Sequence, residues 1–331
     1  MLIALLMSSV LSMSLHAEPA APPPEEKSPA PALAQPAAQP VADAAPKITM
    51  ISNGEEPRAL ARLALKPGEV QSIVMDMDMQ MKMAMEGVAN PTPQMPTFGI
   101  NVRITVEEAL PEGWWKYKCE FTSLDVKATD KSPAEMVAMM KSVMSEMVGM
   151  KIGAEINTFG HQRNFEVVSK ITNPMLLQQL ESLKQSLAQV ALTLPEPEIG
   201  VGAKWEVDSI AMLGGVSSRQ NATYRLLSRD GDTIKLGVSM KQTPAEKNSP
   251  IRNLPEGVTG TLIDLAGDSK GELVYDLTRI MVKQGQMSGE SVVNMNVEGQ
   301  GMKAKIDTQT TIVMTVRPAT PADETSAQPK P

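Results

Sequence analysis

The chain has 331 residues and a formal charge of −7, with its Lys and Arg scattered among acidic residues. No basic block exists to neutralise a phosphate backbone, which argues against nucleic acid as a partner. A single cysteine, Cys119, leaves no internal disulfide to staple the fold, so stability must come from a packed core.

In chain order, the apolar run Leu2 to Leu15 followed by Ala17 reads as the h-region and cleavage site of a secretory signal peptide, residues 1–17. The run is too short to span a bilayer. No cysteine sits near the cleavage point, so a lipid-anchored lipoprotein is not expected. The reading implies a periplasmic or secreted protein with no transmembrane segment after cleavage. Residues 18–46 are dominated by Ala and Pro, a composition that buries too little apolar surface to fold, and form a predicted disordered linker. Residues 318–331 repeat that composition as a predicted disordered tail. One domain, residues 47–317, lies between them.

Strand-like alternation begins with Ile73 to Glu86 and continues with Ile100 to Glu107. From Trp114 to Val126, Trp115, Tyr117, Cys119 and Phe121 share one face and Lys116, Lys118 and Glu120 the other. Cys119 is therefore expected as a buried, unreactive thiol. A helix follows, with Ser132 as N-cap, Pro133 at its first position, Glu135 completing a capping box and Gly149 ending it. Met136, Met140, Met144 and Met147 fall on one of its faces. Strands are expected at 151–158 and 164–168. A second, amphipathic helix begins at Asn173 and Pro174, with Leu176, Leu180, Leu183, Leu187 and Val190 as its stripe. The rest reads as strands at 204–212, 218–228, 233–242, 257–265, 270–275, 279–287, 290–297 and 302–316, with hairpin turns at Asp230-Gly231 and at Glu298 to Gly301. So many strands exceed what an open flat sheet holds. The expected fold is mainly β (α+β): a strongly curved antiparallel sheet, half-barrel or barrel, with two helices against the concave side.

The segment Leu194-Pro195-Glu196-Pro197-Glu198-Ile199-Gly200-Val201-Gly202-Ala203-Lys204-Trp205, with the opening Lys66-Pro67-Gly68 turn and the final hairpins, resembles an exported bacterial family known as domain of unknown function 6263. The element order is also similar to the periplasmic lipoprotein carriers of the LolA and LolB type. That resemblance implies a curved sheet and inserted helices around an apolar cavity, and assigns no ligand. Physically, the same segment needs no function: prolines hold it extended, glycines permit its turn and Trp205 anchors it.

Every odd position from Met75 to Met85 is methionine, while Asp76, Asp78, Gln80, Lys82, Ala84 and Glu86 occupy the even ones. In a strand this puts Met75, Met77, Met79, Met81, Met83 and Met85 on one face; a helix would scatter them. Three readings compete. The first is core, since a chain with three Trp, three Tyr and four Phe needs a flexible filler. The second is a soft ligand cavity between this strand and Met136, Met140, Met144 and Met147, suited to a lipid or other apolar molecule. The third is a thioether site for Cu(I). Against the third, one histidine, His161, survives signal cleavage, and burial already explains the alternation.

Catalysis finds little support. His161 sits by Gly160, where a solvated loop residue is the default, and with one mature histidine no His-x-x-x-His zinc pair can form. Neither a P-loop nor a Gly-x-Ser-x-Gly elbow occurs. The Asn221-Ala222-Thr223 sequon is a short and often accidental pattern. The expected function is an exported non-enzymatic binding module holding an apolar ligand in a methionine-lined cavity, with no cofactor and no assigned metal site. An envelope or secreted interaction scaffold with a solid core, partnered by an envelope protein, is the alternative, and a Cu(I)-binding protein the minor one.

Overall fold

The computed structural model describes residues 46–85, 95–130, 132–169, 192–213, 215–252, 254, 257–299 and 302–326. The expected signal peptide, nearly all of the expected linker, the second expected helix and the end of the expected tail lie outside the described residues. The elements in order are β1 Lys47–Ser52, β2 Val70–Met85, β3 Thr97–Leu110, β4 Trp114–Lys127, α1 Ala134–Met147, β5 Lys151–Asn157, β6 Gln162–Val168, β7 Lys204–Leu213, β8 Val216–Asp230, β9 Thr233–Pro244, β10 Ser249–Pro250, β11 Val258–Asp276, β12 Gln284–Gly299, β13 Met302–Pro318 and α2 Pro321–Ser326.

All thirteen strands belong to one antiparallel sheet in the order β1-β7-β8-β9-β11-β12-β13-β2-β3-β4-β5-β6, with β10 beside β11. The sheet is mainly β as expected and does not close, because β1 and β6 end the path. It is nonetheless strongly curved. β8 and β4 stand seven places apart in that order, which in a flat sheet means about 33 Å. Yet Tyr224 of β8 and Tyr117 of β4 line the same cavity.

The glycines that read as breaks in the sequence lie inside long strands. Residues 257–265 and 270–275, expected as two strands, are the single strand β11, which pairs with β12 past one irregularity at Leu262–Asp264 and then without a break through Gly267, Gly271, Gly285 and Gly289. At Gly271 a β-carbon would collide with the Gln286 carbonyl oxygen and the Met287 side chain. Glycine is required there because the neighbouring backbone comes too close for any other residue. Residues 279–283 belong to the link before β12. The Asp230-Gly231 turn stands as expected, and Gly299 pairs with Met302 across the last hairpin.

Helix α1 departs from its expected start. It begins at Ala134 with Pro133 as N-cap and no side-chain cap bond. Ser132 lies one residue too early to cap, and its hydroxyl accepts from the Thr129 N–H at 3.2 Å and bonds the Thr129 hydroxyl at 2.6 Å. Gly149, with φ +82°, ends the helix as its sequence implies. At the other extreme the domain outlasts residue 317: α2 follows β13, and Arg317 forks onto both Asp323 oxygens at 2.8 and 3.1 Å. No helix among the described residues is long and apolar enough to cross a membrane.

One end of the curl is closed by two extended segments. Ala59 bridges Ile199, the Leu63 N–H donates to the Thr158 carbonyl, and the Ala64 N–H donates to that of Leu277. Leu194, Ile199, Ala203 and Trp205 are fully buried. Trp205 stacks on Tyr224 at 5.4 Å and donates its indole N–H to the Thr193 carbonyl at 3.1 Å. Arg62 donates to the Pro195 carbonyl at 2.8 Å and to that of Glu196, and lies over the Phe159 ring. The Leu194 to Trp205 segment thus has the structural role its prolines, glycines and tryptophan suit.

Candidate ligand cavity

Inside the curl is a cavity of about 140 Å³. Its walls come from β2 to β9, from β11 to β13, and from residues 192–193 and 280–282. All three tyrosines of the chain, Tyr117, Tyr224 and Tyr275, line it. Around them stand Val102, Ile104, Phe121, Ala222, Met240 and Leu273, and the other polar lining is uncharged: Gln162, Thr193, Ser209, Gln220 and Cys119. A much wider groove on the outer face runs past Lys204, Arg225, Lys270 and Glu272. It lies more open to water than the inner space does.

The methionine strand faces inward as its period-two pattern requires, but most of it is not cavity wall. Of the ten methionines expected there, Met75 alone lines the space. Met77 and Met79 are 1 % and 2 % exposed within the main apolar core, and Met81 packs against that core. Met83 and Met85 pack on a second, smaller cluster built around Leu262, Met295 and Ile306. On α1, Met140 and Met144 are buried and Met136 and Met147 partly buried in the main core. The physical reason is register. Met77 lies between Met314 of β13 and Phe98 of β3, and Met79 and Met81 continue along the packed core, so these thioethers are taken up by close neighbours while Met75, Met287 and Met314 reach the cavity.

Burial sets the chemistry of the lining. It holds the phenols of Tyr117 and Tyr275 well above the ordinary tyrosine range and pushes that of Tyr224 up to about 12. The Cys119 thiol is likewise pushed up to about 12, first by burial and then by Glu120. It is half-buried by surface and faces the cavity. Every lining group is neutral near pH 7, and a neutral wall suits a neutral guest.

Four buried side-chain polar atoms of the described residues, on His161, Gln220, Asp307 and Thr308, have no hydrogen-bond partner, and of these residues Gln220 is the one that lines the cavity. Gln220 is 7 % exposed, and its side-chain amide nitrogen is enclosed without a hydrogen bond among the described residues. Such a group costs about 1–3 kcal/mol when left unmade. Gln220 belongs to a row across the inner face that reads by strand pairing Ser209, Gln220, Gln242, Gly267, Ser291, Thr310 and Met81. This uncharged belt separates the main core, which contains Met79, from the second cluster, which receives Met83 and Met85. In the sequence these residues are ordinary alternating strand positions, and only pairing aligns them.

Elsewhere, His161 is not a solvated loop residue. It is half-buried, stacks on Phe159, and its proton affinity is lowered by burial, with Glu196 opposing. Asn221 of the sequon sits in mid-strand between Asp208 and Lys241. Among the described residues no three His, Cys, Asp or Glu side chains gather into a metal-binding group. No protein-family model matches the chain, and no curated protein matches it.

Proposed function

We propose that this chain is an exported, non-enzymatic binding module whose curved sheet holds a small apolar guest in the tyrosine-lined cavity. The observation that carries the reading is the cavity itself, enclosed by side chains from eleven strands rather than filled by them. Its volume of about 140 Å³ is close to the roughly 150 Å³ of an apolar cavity that takes benzene. It is well below the roughly 300–1,000 Å³ of sites that enclose drug-sized ligands. The guest is therefore one short hydrocarbon segment or a single ring, and a whole diacyl lipid requires the walls to move. Export is supported by the apolar run at residues 2–15 and the Ala/Pro segment after it.

Native mass spectrometry of protein purified without detergent tests the reading, together with methionine-methyl NMR during titration with benzene. A bound small apolar mass, or benzene-dependent shifts at the resonances of Met75, Met240 and Met287, is expected. Guest-free protein whose methionine methyls ignore benzene overturns it.

A further inference from the structure

Resting on the cavity reading above, we propose that the guest is an uncharged acyl compound, an ester or amide, whose carbonyl oxygen is received by the side-chain amide of Gln220. Its hydrocarbon part lies toward Tyr224, Tyr275 and Met240. Three observations converge on this. The Gln220 nitrogen is a donor enclosed at the cavity wall with no partner among the described residues, which calls for an acceptor from the guest. Ser209 of β7, paired directly with Gln220, lines the same space and offers its hydroxyl as a second donor to the same head group. Gln242 flanks Gln220 from β9, and Gly267 makes room for it, since a β-carbon there would lie 2.8 Å from the Gln242 amide oxygen.

The head group's charge follows from what is missing around it. Gln162, Thr193, Ser209 and Gln220 are neutral, as are the tyrosines and Cys119 at their raised pKa values. No Lys, Arg, Asp or Glu of the described residues is buried. An ionised carboxylate placed there loses its water and gains no counter-charge. A neutral carbonyl loses far less and regains a hydrogen bond. The polar belt also gives direction: on the Tyr224 side of Gln220 the inward positions are Ala222, Tyr224 and Leu226, so a chain anchored at the belt extends along β8 into apolar wall.

The test is calorimetric titration of the full chain with methyl butanoate, hexane and butanoate at pH 7, repeated on Gln220→Leu and on Ser209→Ala. The ester is expected to bind about tenfold more tightly than hexane, butanoate not at all, and Gln220→Leu to abolish the preference while keeping hexane binding. Retained hexane binding also shows that the variant is folded. Ser209→Ala is expected to reduce the preference two- to threefold. Equal affinity for ester and hexane, unchanged in Gln220→Leu, means the amide is satisfied by water only; that overturns the carbonyl assignment and leaves the cavity reading standing. If neither ester nor hexane binds, both readings fall.

Discussion

β2 and β8 are long strands five places apart in one sheet, and both send alternate side chains inward, but they do different work. β2 is conspicuous in the sequence, with six methionines in period two, and contributes one side chain, Met75, to the cavity. β8 reads as an ordinary strand and contributes Gln220, Ala222 and Tyr224. The difference lies in what each faces. β2 sits mid-sheet between β13 and β3, where flexible thioethers fill the space between packed neighbours. β8 lies near the far edge, where curvature brings its inner face toward β4 and β6 across a gap. A repeated residue type marks composition, and position in the curl decides which repeat meets empty space.

Truncation at the packed wall should have the largest effect. Met77→Ala, at a site 1 % exposed, is expected to cost about 2–5 kcal/mol in urea unfolding, because the tight surroundings collapse only partly into the void. A cost under 1 kcal/mol would mean that β2 is loosely packed and the contrast with β8 is false. The opposite substitution tests the other wall. Ala222→Leu is expected to change stability by less than about 1 kcal/mol and to block benzene uptake, since its added carbons enter open space. A filled interior would instead penalise it by about 1–3 kcal/mol.

Titration separates the walls further. The Cys119 and Tyr224 pKa values are raised on folding, so the unfolded chain gives up these protons first and stability falls as pH rises. Stability is expected to be level up to about pH 8.5, the ordinary cysteine value, and to decline from there toward 12. Alkylation of Cys119 at pH 8 should be slow and slower still with a guest bound; rapid alkylation would place the thiol in water. Replacing Met77, Met79 and Met81 together by Leu conserves volume and is expected to cost less than about 1.5 kcal/mol per site. A Cu(I) competition titration should not distinguish that variant from the parent, whereas uptake lost on replacement would assign the thioethers to metal. Smallest of all, Lys82→Gln on the exposed face of β2 should fall within about 0.5 kcal/mol of the parent.

Much of the architecture was legible in the chain. Period-two alternation located most of the strands, and charge opposite methionine told the inner face of β2 from the outer. Gly149 and Asp230-Gly231 punctuated as turn chemistry predicts. The misreadings also have local causes. Gly267 and Gly289 look like breaks between strands, since no sequence window distinguishes a glycine that ends a strand from one that lets two long strands coil closely. Ser132 looks like a cap because its type is right, although its geometry serves Thr129.

By itself, then, the sequence determined most of the strands, their inward faces and the sorting of methionine from charge, because each depends on neighbours two to four residues away. The tertiary structure alone decided that Tyr117, Tyr224 and Tyr275 meet around one space, and that Ser209, Gln220, Gln242, Ser291 and Thr310 align as a belt. Those residues are far apart along the chain. They are brought together by strand order and by the curvature of the sheet, neither of which any local pattern encodes.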